Sequence, residues 1–123
     1  MTKPLVVFEM ANNHMGDLSH GIATIRAFRQ ACRGFEEDFD FAFKLQYRDL
    51  DTFIHASARG QHGIKYVKRF EETRLSDEAF RAMVVEMVAQ GFITVCTPFD
   101  ENSVTHIESH GIHTIKIASC SFT

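Results

Sequence analysis

The stretch Phe39-Asp40-Phe41-Ala42-Phe43-Lys44-Leu45-Gln46-Tyr47 sorts its side chains with a period of two. Phe39, Phe41, Phe43, Leu45 and Tyr47 fall on one face, and Asp40, Ala42, Lys44 and Gln46 fall on the other. An aromatic face this continuous has to pack against helices. The opposite face then points into a barrel interior or a sheet crevice, where a lysine and an amide cost too much desolvation to be filler. Lys44 is therefore a candidate ligand contact, with a structural ion pair as the alternative.

Three further runs read as short strands: residues 5–11, 92–97 and 113–118. Helical patterns separate them. Leu18, Ile22, Ile25, Phe28 and Cys32 recur at helical steps behind Asp17 as N-cap, with Gly34 as the stop. Phe80, Met83, Val84, Met87 and Val88 form a second stripe, with Ser76 as N-cap, Leu75 and Phe80 as a hydrophobic staple and Gly91 as terminator. A third, shorter helix runs from Asp100 as cap, through Val104 and Ile107 facing inward, to Gly111. Strands that alternate with helices imply parallel pairing through right-handed crossovers, hence an α/β sheet or barrel. No repeat or linker divides the chain. One connection, residues 49–74, is far longer than the roughly 2 to 6 residues usual between strand and helix. It has Arg48 at its edge and carries Arg59, Lys65, Tyr66, Lys68 and Arg69, with room for one helical turn; it reads either as a solvated charged loop or as a lid over an anionic ligand.

The whole chain has 123 residues, 45% hydrophobic and 24% charged, as one ordinary globular domain does. A formal charge of -3 supplies no strong positive field, so neither nucleic acid nor a membrane surface is an expected partner. No run approaches a membrane span, and the N-terminus shows no signal-peptide cleavage pattern; the expectation is a cytoplasmic protein. Cys32, Cys96 and Cys120 are widely spaced and odd in number, which speaks against a disulfide framework or structural zinc and for buried small side chains.

Polar residues collect at the strand ends. Glu9 interrupts an apolar strand, with Asn12, Asn13 and His14 in the loop that follows; Thr97 ends the third strand; Lys116 alternates with Ile115 and Ile117 in the fourth, and Ser119 follows. In parallel α/β folds the C-terminal strand ends form the ligand site. Two ammonium groups with hydroxyl and amide donors suit a small phosphate or carboxylate, while a carboxylate with a neighbouring histidine suits proton transfer. A plain salt bridge of Glu9 with Lys44 or Lys116 is the structural alternative. His106 and His110 have the i, i+4 spacing of a helical metal pair but lack an accompanying H-E-x-x-H glutamate, and read as a solvated helix face. His20, His55, His62 and His113 have no supporting constellation. The absence of G-x-G-x-x-G, a Walker loop and G-x-S-x-G removes the common dinucleotide, nucleotide and hydrolase readings.

Four segments in order resemble the motif series of the N-acetylneuraminate (sialic acid) synthase family: residues 8–17, 43–46, 96–100 and 115–119. That family includes spore-coat polysaccharide biosynthesis proteins and pseudaminic and legionaminic acid synthases. The resemblance implies a TIM-type (β/α)8 barrel that condenses phosphoenolpyruvate with an N-acetylated hexosamine aldehyde, releasing phosphate and forming a nonulosonic acid for surface or capsular polysaccharide. It further implies Glu9 as the residue handling protons at the sugar carbonyl or the attacking water. Lys44, Thr97, Lys116 and Ser119 match positions that hold phosphoenolpyruvate, and Gln46 one that contacts the amino sugar. Asn13 and His14 match the loop that shapes the site. A divalent ion, Mn or Mg, is implied to polarise the aldehyde, with its ligands outside this chain, and a homodimer is the expected assembly.

Where the family usually continues as Ser-Gly-Glu or Ser-Gly-Asp, with the acid contacting the sugar, this sequence has Ser119-Cys120-Ser121. A whole barrel takes about 250 residues. Residues 1–123, with about four βα units, are thus expected to be the N-terminal half of the barrel domain, without its remainder or a C-terminal antifreeze-like domain, and inactive in isolation. Two alternatives stand beside the synthase: a Schiff-base aldolase using Lys44 or Lys116, and a noncatalytic relative that binds a sugar or anion.

Overall fold

The computed structural model describes residues 2–53, 56–61 and 63–121; His55 and His62, which carry no assigned role, lie outside them. Four strands, β1 (Leu5–Glu9), β2 (Asp40–Tyr47), β3 (Ile93–Pro98) and β4 (Thr114–Ile115), form one sheet in the order β1-β2-β3-β4. Every pairing is parallel, as the strand–helix alternation requires. The helices are α1 (Leu18–Ala31), α2 (Leu50–Phe53), α3 (Lys65–Glu72), α4 (Asp77–Ala89) and α5 (Glu101–Ser109), with short 3₁₀ turns at Ala56–Ala58 and Ser119–Ser121.

The aromatic face of β2 is the centre of the core. Phe43, fully buried, has its ring 5.4 Å from Phe92, 5.6 Å from Phe28 and 6.2 Å from Phe8. Leu45, Tyr47, Cys96, Ile25, Met83, Met87 and Ile107 complete the cluster, so the helices cover one face of the sheet. The other face carries Leu5, Val7 and Ile93, each more than two-fifths exposed.

The three expected N-caps form. Asp17 accepts hydrogen bonds from Ser19 N and His20 N, Ser76 from Ala79 N, and Asp100 from Ser103 N. Gly91 and Gly111 take left-handed conformations just beyond α4 and α5 (φ 80° and 73°) and close Schellman motifs, with Phe92 N donating to Met87 O and Ile112 N to Ile107 O.

Other expectations are corrected. β1 stops at Glu9 because Ala11 turns into the left-handed region (φ 46°). β4 is two residues long rather than six, with Ile115 and Ile117 about half exposed. Val88 and Val104 point outward, and Ser103 takes the buried place on α5. Cys32 and Cys96 are buried but Cys120 is exposed. The long connection holds the two-turn helix α3, amphipathic around buried Val67, where a single turn was expected. Among the described residues no helix is long and apolar enough to cross a membrane.

Candidate functional site

Parallel register brings the polar residues of the first strands side by side. Glu9 pairs with Lys44, Lys44 with Val95, and Gln46 with Thr97, all on the face away from the helices. Their side chains meet. Lys44 Nζ lies 3.2 Å from Glu9 Oε1, and Gln46 Nε2 donates to the same oxygen at 2.6 Å. Arg48 Nη2 donates to Gln46 Oε1 at 2.9 Å, and its guanidinium is sandwiched between the rings of Phe70 and Phe99, 4.5 and 4.0 Å from their centroids. Burial lowers the Arg48 pKa from its ordinary value, partly offset by Cys120, Glu9 and Asp100, and an arginine remains charged throughout. The Thr97 hydroxyl, next to Gln46 in register, is buried and has no hydrogen-bond partner among the described residues. Such an orphaned hydroxyl is costly unless something polar meets it.

The remaining sequence candidates are placed differently. Lys116 is hydrogen-bonded through its backbone N–H to Cys96 O, but its side chain is exposed and its ammonium reaches the Ile117 carbonyl at 3.4 Å. Ser119 opens an exposed 3₁₀ turn, and Asn13 is exposed in the loop after β1. His14 is buried: Nδ1 accepts from Gly16 N–H at 3.1 Å, and the ring meets Phe80 edge-on. Burial, with a smaller contribution from His20, lowers its pKa. This loop is held in an unusual shape, with Ala11 and Met15 both at positive φ and Gly16 (φ 72°) so close to α3 that a Cβ would sit 2.9 Å from Glu72 O. Of the cations near the long connection, Arg59, Lys65, Lys68 and Arg69 are exposed, as a solvated face requires, and Arg48 is drawn inward.

A second constellation lies on the helix side of β2. Tyr47 Oη is 2.7 Å from His110 Nδ1, His110 Nε2 is 2.8 Å from Asp77 Oδ1, and His106 Nδ1 is 2.7 Å from that same oxygen. The solvated-face reading of the two histidines is thereby corrected: the His110 side chain is 1% exposed. Burial lowers the His110 pKa against the opposing pull of Asp77. Burial also resists ionisation of Asp77, yet hydrogen bonds from His110 and His106 hold its carboxyl below the usual range. Burial raises the Tyr47 pKa, keeping the phenol protonated. These groups line a cavity of about 390 Å³ together with His14, Arg48 and Phe70. Spacing along the chain could not reveal the set, because Asp77 and Tyr47 join it through helix packing and not through a motif.

The fold recurs in solved structures. Spore coat polysaccharide biosynthesis protein E from Chromobacterium violaceum is 66% identical with a TM-score of 0.94, over 98% of this chain and 35% of its own. N-acetylneuraminic acid (sialic acid) synthetase from Leptospira borgpetersenii, in complex with citrate, superposes with a TM-score of 0.69 at 18% identity, over 97% of this chain and 37% of its own. Spore coat polysaccharide biosynthesis protein SpsE from Bacillus subtilis gives 0.62 at 22% identity, over 96% and 30%. The chain thus spans about a third of the length of these relatives. No curated protein matches it. Residues 35–123, which include the aromatic strand and everything after it, match the NeuB family, and the chain belongs to that family.

Proposed function

We propose that this chain supplies half of the active site of a sialic-acid-type synthase, which condenses phosphoenolpyruvate with an N-acetylated hexosamine aldehyde and releases phosphate. The observation that carries the reading is the bonded set Glu9, Lys44 and Gln46 on the open face, beside the unpartnered hydroxyl of Thr97. In this reading Lys44 and Lys116 neutralise phosphate and carboxylate, Thr97 and Ser119 donate hydroxyls to the same anion, and Gln46 orients the sugar. Glu9 takes or gives the proton at the sugar carbonyl or the attacking water. Asn13 and His14 shape the rim. Lys116 and Ser119, exposed here, close on the anion once it is bound.

On the open face Asp40 pairs with Lys3 at the far end of β2, and at the site end the Glu9 oxygen already lies 3.2 Å from an ammonium, a donor set that does not fit a divalent cation. The Mn or Mg expected for the family would have its ligands outside this chain, and no step is routed through it. The aldolase reading is weaker for Lys44, whose side-chain nitrogen is engaged by Glu9 at 3.2 Å. Completion of the barrel by the remainder of a longer chain, a homodimeric assembly and a cytoplasmic location belong to the same proposal.

The test is phosphate release by the full-length protein given phosphoenolpyruvate and N-acetylmannosamine, run beside borohydride trapping with pyruvate. Sugar-dependent phosphate release without a trapped adduct is expected. A borohydride-stable pyruvate adduct on Lys44 or Lys116 would favour the aldolase, and absence of both activities the binding protein.

A further inference from the structure

Asp77, His106 and His110 bring three ligand atoms within 4.8 Å of one another, from the N-terminal turn of α4 and from successive turns of α5. We propose that they form a binding site for a late first-row divalent ion of the zinc class, on the helix side of the sheet and independent of the synthase reading. Three features argue for it.

The donors are two imidazoles and one carboxylate, the set that suits zinc, cobalt or nickel and not the all-oxygen preference of magnesium or calcium. The atoms are already convergent. Both ring nitrogens sit 2.7 and 2.8 Å from a single Asp77 oxygen. An ion with bonds of about 2.0 to 2.2 Å needs these separations to widen by only about half an ångström. His106 is half exposed and free to make that adjustment, while His110 is fixed by packing.

The third feature is the support behind the ligands. A histidine that binds metal through one nitrogen donates from the other to an oriented partner, which fixes the tautomer. Tyr47 Oη is in that place, 2.7 Å from His110 Nδ1, and a hydroxyl accepts as readily as it donates. The same hydrogen bond therefore serves the metal-free and the metal-bound ring. The three ligands border the cavity of about 390 Å³, which leaves a further coordination position for water or a small anion.

The test is titration of the full-length protein with Co²⁺, followed by visible absorption, and with Zn²⁺, followed by thermal unfolding. The variants are His106→Ala and Asp77→Asn; the first alters a half-exposed side chain and spares the core. Beside whatever the family's own divalent site contributes, wild type is expected to develop a further equivalent of a cobalt band, displaced by Zn²⁺, and to gain more thermal stability with Zn²⁺ than with Mg²⁺. Both variants should bind that further cobalt equivalent at least about tenfold more weakly and lose the excess zinc-dependent shift. A cobalt band or zinc shift of the same size in His106→Ala, or the absence of the further equivalent in wild type, would overturn the assignment.

Discussion

At the level of single residues, Phe43 and His14 show how local chemistry sets behaviour. Phe43 is fully buried among Phe8, Phe28 and Phe92, so Phe43→Ala should cost about 3 to 5 kcal/mol, read as a lower urea midpoint. A domain of ordinary stability keeps little margin after such a loss. His14 is held neutral by burial, with its Nδ1 committed to Gly16 N–H, and protonation would break that bond. Its pKa in the folded protein lies below that of the unfolded chain, so between the two values the unfolded chain binds more protons. This contribution to stability is complete above pH of about 6.5 and is lost as pH falls toward the folded-state pKa. His110, also held down by burial, adds to the same slope. Urea midpoints measured from pH 7.5 down to pH 5 should fall, and His14→Gln should flatten the decline; an unchanged slope would contradict the account. Both residues were marked in the sequence, Phe43 by its period and His14 by its neighbours, but neither the ring partners nor the Gly16 contact could be read there.

Elements were legible where the signal is local. Asp17, Ser76 and Asp100 cap their helices because a side-chain acceptor one residue ahead of a helix needs no tertiary partner. Ser76→Ala should destabilise by about 1 kcal/mol without moving α4, measured as a small fall in the unfolding midpoint with an unchanged circular dichroism spectrum. Gly16→Ala should cost more, since the new methyl would press on the Glu72 carbonyl and the backbone is left-handed there, and it should loosen the loop after β1 against α3. What could not be read depends on distant packing. β4 is two residues long with Ile115 and Ile117 about half exposed, and α3 takes shape around Val67 in a segment whose charges suggested a loop. The Asp77, His106 and His110 cluster joins positions 33 residues apart along the chain, which no spacing rule anticipates.

For the whole molecule the telling feature is its asymmetry: helices bury one face of the sheet, while Leu5, Val7 and Ile93 stay exposed on the face of the polar set and Ile115 and Ile117 stay exposed at the β4 edge. Apolar surface of this kind, with unpaired strand edges, favours association. The 123-residue chain by itself should therefore elute from size exclusion above its monomer mass, and a monodisperse monomer with sharp near-ultraviolet bands would contradict that. The parallel order and the convergence of Glu9, Lys44 and Gln46 follow from the two-residue period of β2 once strands alternate with helices. The central claim is that Glu9 moves a proton in the condensation. In full-length protein, Glu9→Gln keeps the size and the bond to Gln46 while removing the charge. Sugar-dependent phosphate release from phosphoenolpyruvate should drop by about 10² to 10⁴ with the fold intact, and a rate equal to wild type would contradict the account.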